Sequence, residues 1–197
     1  MSVPLDLEYQ MTGLLDSAIE MWKRDGCVMT CSYALGYTAH AFAQPYEIEG
    51  VKIALETRVA LHALIASCVN ARYIGRIDES WVRLSEVGEP DLVHGDLEQM
   101  ADYDPRVATA ICVQAYDLET GDSYLHMATL TLNDDGSQLW HKTFSDEVEG
   151  RIVGGSELTA RAIPILSKDN DLTVEVVEGF LNAVGWTMAV ALAEVGE

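Results

Sequence analysis

The sequence predicts an α+β fold: an antiparallel meander of three or slightly more strands, covered on one face by long N-terminal, central and C-terminal helices. Three observations predict it. Apolar residues recur at helical spacing near both ends and around residue 60. Short apolar or alternating segments joined by turns fill 107–144. Helices and strands are segregated along the chain, which argues against a doubly wound parallel sheet.

Each element has its own signal. Leu7 to Arg24 sets Leu7, Met11, Leu14, Leu15, Ala18, Ile19 and Trp22 on one helical face, with Gly26 placed as a left-handed cap. Cys27 to Phe42 is mixed: Ala, Leu and Cys favour helix, whereas Thr30, Tyr33, Gly36, Tyr37 and Thr38 oppose it, and Gln44-Pro45 ends the segment. Val51 to Tyr73 is apolar nearly all round, as a central helix is. A short helix over Glu79–Val87 is expected to bury Trp81 and Leu84. Residues 86–105 read as a long acidic loop, punctuated by Gly88, Pro90, Gly95 and Pro105.

Val107–Asp117, Tyr124–Leu132 and Gln138–Phe144 read as strands. Glu119–Asp122 and Asn133-Asp134-Asp135-Gly136 supply the turns between them. Residues 150–164 are less regular. Leu172 to Glu194 reads as a long helix opened by Asp171 or Thr173. No repeat or low-complexity tract breaks the chain, so one domain over 1–197 is expected.

With 197 residues and 49% apolar content, the chain can bury one sizeable core. Its 32 acids and 12 bases give a net charge of −20. That charge opposes direct binding to nucleic acid or anionic membranes, and it favours a protein partner with a basic surface. The N-terminus lacks the basic stretch and apolar run of a secretory signal. The apolar windows Val59–Val69 and Ala183–Leu192 are short against the roughly 20 residues that span a bilayer. The expectation is a cytoplasmic protein.

Several motifs fail on their chemistry. Cys27 and Cys31 suit one helix face but lack zinc spacing and a second pair, and Cys68 and Cys112 sit in apolar segments, so no metal or cofactor is expected. Arg151-Ile152-Val153-Gly154-Gly155 resembles the activation site of trypsin-like proteases over five residues only, with no serine nucleophile motif and too short a chain beyond it. The same glycines lack the lysine of a phosphate loop and follow Asp146, Glu147 and Glu149. The turn at Asn133 has Lys142 where a calcium loop requires glutamate. His40, His62, His94, His126 and His141 form no helical metal pair. His94 next to Asp96 could act as a base, but no oxyanion stabiliser accompanies it.

One feature rises above background. Glu86, Glu89, Asp91, Asp96, Glu98, Asp102 and Asp104 follow one another without a base, and eight more acids lie between Asp117 and Glu149. As ideal helix, that first run would carry one charge per roughly 4 Å, against about one per 1.7 Å in duplex DNA. Imitating nucleic acid therefore requires the turn carboxylates to join the same face.

The functional expectation is a non-enzymatic binding protein: an inhibitor, adaptor or chaperone that engages a basic protein surface, with nucleic-acid mimicry as a special case. Its partner-binding residues are expected to be Asp91, Asp96, Glu98, Asp102, Asp104, Asp134 and Asp135. No catalytic residue is assigned. The alternative is a small-molecule binder or enzyme with a pocket between sheet and helices, lined by Trp22, Trp81, Tyr116, Tyr124, Trp140 and Trp186. A homodimer is a third arrangement compatible with the sequence.

Overall fold

A computed structural model describes residues 5–45, 55–83, 104, 106–132, 138–144 and 172–193. Its elements are α1 (Leu5–Asp25), β1 (Cys31–Gly36), β2 (Ala39–Pro45), α2 (Leu55–Cys68), β3 (Ala71–Arg83), β4 (Val107–Asp117), β5 (Ser123–Leu132), β6 (Gln138–Phe144), α3 (Val174–Ala183) and β7 (Trp186–Leu192). The strands form one seven-stranded antiparallel sheet in the order β6-β5-β4-β3-β1-β2-β7. The α+β class holds, with a sheet larger than the expected meander. Among the described residues, no helix is long and apolar enough to cross a membrane.

Chain contacts gather into two compact units. The first comprises Met1–Val28, Asp78–Val113 and Leu125–Gly150. Within it α1 buries Leu7, Met11, Leu15, Ala18 and Ile19, the stripe predicted from its spacing. Gly26 ends the helix at φ 76°, its N–H donating to the Trp22 carbonyl at 2.8 Å. The Glu79 carboxylate accepts from Trp22 Nε1 at 3.2 Å and from the Val28 backbone N–H at 3.0 Å, fastening the end of α1 to β3. The Trp22 ring meets Trp140 of β6 edge to face, with centroids 5.3 Å apart. β5 and β6 pair antiparallel from His126↔Phe144 to Leu132↔Gln138.

The second unit comprises Met29–Ile77, Gln114–Tyr124 and Arg151–Glu197. Its core joins Val59, Leu61, Ile65 and Val69 of α2, Val177 and Leu181 of α3, and Ala34, Ala41, Ala43, Ile74, Trp186 and Met188 of the strands. Ala34, Ala41 and Ala43 of β1 and β2 are buried in this core together with the apolar residues of α2. β1 pairs antiparallel with β2 (Ala34↔Ala41) and with β3 (Ala34↔Ile74), and β2 pairs with β7 (Ala43↔Met188). Tyr33 crosses Gly75 on β3, and its hydroxyl donates to the Gln114 carbonyl at 2.7 Å. A Cβ on Gly75 would stand 2.0 Å from that carbonyl oxygen and 2.4 Å from the Tyr33 ring, so only glycine fits.

Four expectations are corrected. The ambiguous segment after residue 27 contains a hairpin, β1–β2; Cys27 and Cys31 therefore share no helix face. α2 stops at Cys68, because Asn70 takes φ 47° and turns the chain into β3. The short helix expected over Glu79–Val87 is strand β3 as far as Arg83, and Trp81 is exposed rather than buried. The long C-terminal helix is a ten-residue helix followed by an edge strand. Gly185, at φ 82°, makes the reversal between them. Thr173 caps α3 as expected, its side chain accepting from the Val176 N–H at 3.4 Å.

Candidate functional site

The bounds of β4 and β6 agree with the sequence prediction, and the turn that follows β4 carries a charged cluster. At the end of β4, Asp117 is fully buried. Its Oδ1 accepts from the backbone N–H groups of Glu119 at 2.8 Å and Thr120 at 3.2 Å, which fixes the turn into β5. Its Oδ2 accepts from Arg72 Nη2 at 3.2 Å. The same guanidinium stands 3.6 Å from Glu119 Oε2 and 4.8 Å over the Tyr73 ring. Tyr37, at the tip of the β1–β2 hairpin, donates to Glu119 Oε1 at 2.9 Å, and that hydrogen bond raises the Tyr37 pKa. The cluster joins a hairpin tip to a turn, and both Asp117 and Glu119 are committed to Arg72.

The second charged cluster contains Asp104, the one residue of the expected binding set that is described. Asp104 is buried. Its Oδ1 accepts from the backbone N and Nε of Arg106, and its Oδ2 from Arg106 Nη2, each at 3.0 Å, while Arg83 Nε adds a fourth bond at 3.1 Å. Hydrogen bonds from Arg106 are the main cause holding its carboxyl far below the usual carboxylate range. Asp104 is thus an internal acceptor, not a surface charge offered to a partner. Its companions Asp91, Asp96, Glu98, Asp102, Asp134 and Asp135 lie outside the described residues, as do His94 and the Arg151–Gly155 motif.

The bases follow a consistent pattern. Lys23 pairs with Glu20 at 2.6 Å, Arg24 with Asp25 at 2.6 Å, and Lys142 of β6 with Asp16 of α1. With Arg72, Arg83 and Arg106 these account for six cations already matched to carboxylates inside their own unit.

Among the described residues no three His, Cys, Asp or Glu side chains gather as metal ligands, and none of the four cysteines is in a disulfide. Burial pushes the Cys68 thiol up, and its Sγ donates to the Ile65 carbonyl at 3.2 Å. His62 is a core histidine, its Nε2 lying 3.0 Å from the Gly75 carbonyl oxygen. His40 on β2 is partly buried, and burial lowers its pKa, with a backbone hydrogen bond at Ala39 acting the other way. The aromatic set of the alternative reading is divided. Trp186 is in the core of the second unit with Tyr116 against it, Trp22 and Trp140 pack on each other in the first, and Trp81 is exposed.

The sequence reading missed the apolar end of the second unit. Val176, Phe180 and Val184 beside α3, and Val190 and Leu192 on β7, are exposed. Their spacing was visible but was absorbed into a single long helix.

No protein-family model matches the chain, no curated protein shows significant similarity to it, and no solved structure matches its fold.

Proposed function

We propose that the protein is a non-enzymatic binding protein, acting in the cytoplasm as an inhibitor, adaptor or chaperone for a protein with a basic surface. One observation supports this reading: six of the described bases are paired with carboxylates of their own unit, while the acids outnumber the bases most strongly in the remaining sequence. The described segments hold 14 of the 32 acids and 8 of the 12 bases, so the remaining segments hold 18 acids and 4 bases. A surplus of carboxylates can recognise opposite charge, and such charge sets encounter rate and specificity.

The recognising set is Asp91, Asp96, Glu98, Asp102, Asp134 and Asp135, with Asp104 withdrawn because of its two arginines. Capture of partners from extracts of the native cell, at low and high salt, tests the reading. Wild-type protein should retain a partner that is lost in high salt and lost when Asp96, Glu98 and Asp102 are neutralised together. Retention unaffected by either change removes the proposal. Competition of DNA or RNA for the captured partner distinguishes nucleic-acid mimicry from other basic targets. The pocket reading is secondary, because its aromatic residues are spread over separate clusters.

A further inference from the structure

We propose that strand β7 and the adjoining flank of α3 form a self-association surface that receives a second copy of this chain. Among the described residues β7 ends the sheet order, paired with β2 on one side only. Natural edge strands are usually blocked by charge, proline or a bulge. Trp186-Thr187-Met188-Ala189-Val190-Ala191-Leu192 contains no charged residue and no proline, and its pairing with β2 runs unbroken from Ala39↔Leu192 to Pro45↔Trp186.

Exposed apolar side chains occur both on this strand and on α3, which packs against it. Trp186 and Met188 are buried against the core, so Val190 and Leu192, at the same parity, face the side on which α3 packs. They are 38% and 85% exposed. On α3, Val177 and Leu181 point into the core and Val174 packs partly against it. Helical geometry puts Val176 and Phe180 on the flank opposite Val174. These two are 56% and 50% exposed, and Val184 at the helix end is 44% exposed.

Three arguments select a second copy as the occupant. The first is symmetry. A two-fold axis normal to the sheet pairs β7 antiparallel with its mate and keeps both α3 helices on the same face, side by side. One operation then pairs the open edge and covers the helical flanks; an isolated peptide strand would cover the edge alone. The second is charge. Two copies that each carry −20 can approach closely only where charge is absent, and β7 is such a place. A basic partner finds no carboxylate on that strand. The third is area. A stable interface buries about 800 Å² per partner, and five exposed apolar side chains, Val176, Phe180, Val184, Val190 and Leu192, add to what the seven-residue edge alone could bury.

Sedimentation equilibrium of the full chain tests the proposal. The expected species is a dimer of twice 21.6 kDa. Phe180→Glu and Leu192→Glu, each at an exposed site, should leave the far-UV spectrum unchanged and weaken dimerisation at least about tenfold, since a buried charge cannot be tolerated at the contact. Val176→Asp provides a second flank variant should Phe180→Glu fail to fold. Leu139→Glu on β6, at the other end of the sheet order, should leave the dimer intact. Added salt should strengthen the dimer by screening repulsion, opposite to its effect on binding a basic partner. A wild-type monomer at every concentration overturns the proposal. So does a dimer that survives the charges on α3 and β7, or one broken by Leu139→Glu instead.

Discussion

Arg106 donates three hydrogen bonds to the carboxylate of Asp104, from its backbone N, its Nε and its Nη2, each at 3.0 Å. Arg83 adds a fourth donor, so the last acid of the longest acidic run is a fastening point within its own unit. Because its folded pKa lies below the ordinary value of about 3.9, the stability that Asp104 contributes is present at neutral pH. It is lost as pH falls below about 4 toward the folded value. Asp104→Asn should lower the melting midpoint by several degrees at pH 7 and leave a smaller difference from wild type at pH 3, measured by thermal denaturation at both pH values.

Gly75 faces both the Gln114 carbonyl and the Tyr33 ring, with no room for a side chain. Gly75→Ala should destabilise the protein by about 3 kcal/mol, because the added methyl meets the Gln114 carbonyl and the Tyr33 ring. Tyr33→Phe keeps the ring and removes only the bond to Gln114, so its expected cost is about 1 kcal/mol. Urea denaturation of both variants checks the order.

The short helix α3 depends on one face and one cap. Leu181 is fully buried, so Leu181→Ala should cost about 2–5 kcal/mol. Thr173→Ala removes the acceptor for the Val176 N–H and should cost about 1 kcal/mol. Equal effects of the two variants in chemical denaturation would mean that α3 is not packed as described.

His40 gives a second, separate pH window. Burial lowers its folded pKa below the unfolded value of about 6.5. Below about pH 6.5 the unfolded chain therefore takes up a proton that the folded one refuses, and stability declines as pH falls. His40→Leu should flatten the stability profile between about pH 6.5 and 5 while leaving the acid limb of Asp104 in place. Denaturation midpoints across that range provide the check.

The legible and illegible parts of the sequence differ for physical reasons. α1, β4, β5 and β6 carry a clear stripe or strand run and clear turn residues, and their bounds follow. β1 is buried at five consecutive positions, so it shows no alternation, and its Cys31, Ala34 and Leu35 suit a helix as well as a strand. β3 continues directly from an apolar helix; Asn70 was the available stop signal, since asparagine tolerates the left-handed region. Gly185 was the equivalent signal for β7, outweighed by the apolar residues on both sides. For the candidate site, the sequence displays the charge surplus and its position, but not which carboxylates are taken by arginines. Asp104 looks like its acidic neighbours until Arg83 and Arg106 are placed around it.

The most direct measurement is the salt dependence of binding to a defined basic probe, a lysine homopeptide, by three forms of the full chain. These are the wild type, a variant neutralised at Asp91, Asp96, Glu98 and Asp102, and a control neutralised at the exposed framework acids Asp6, Glu8, Glu175 and Glu178. The account predicts that affinity falls with salt, that the first variant loses about tenfold in affinity and most of the salt dependence, and that the equally charged control stays close to wild type. Equal losses in the two variants, or binding indifferent to salt, would contradict it.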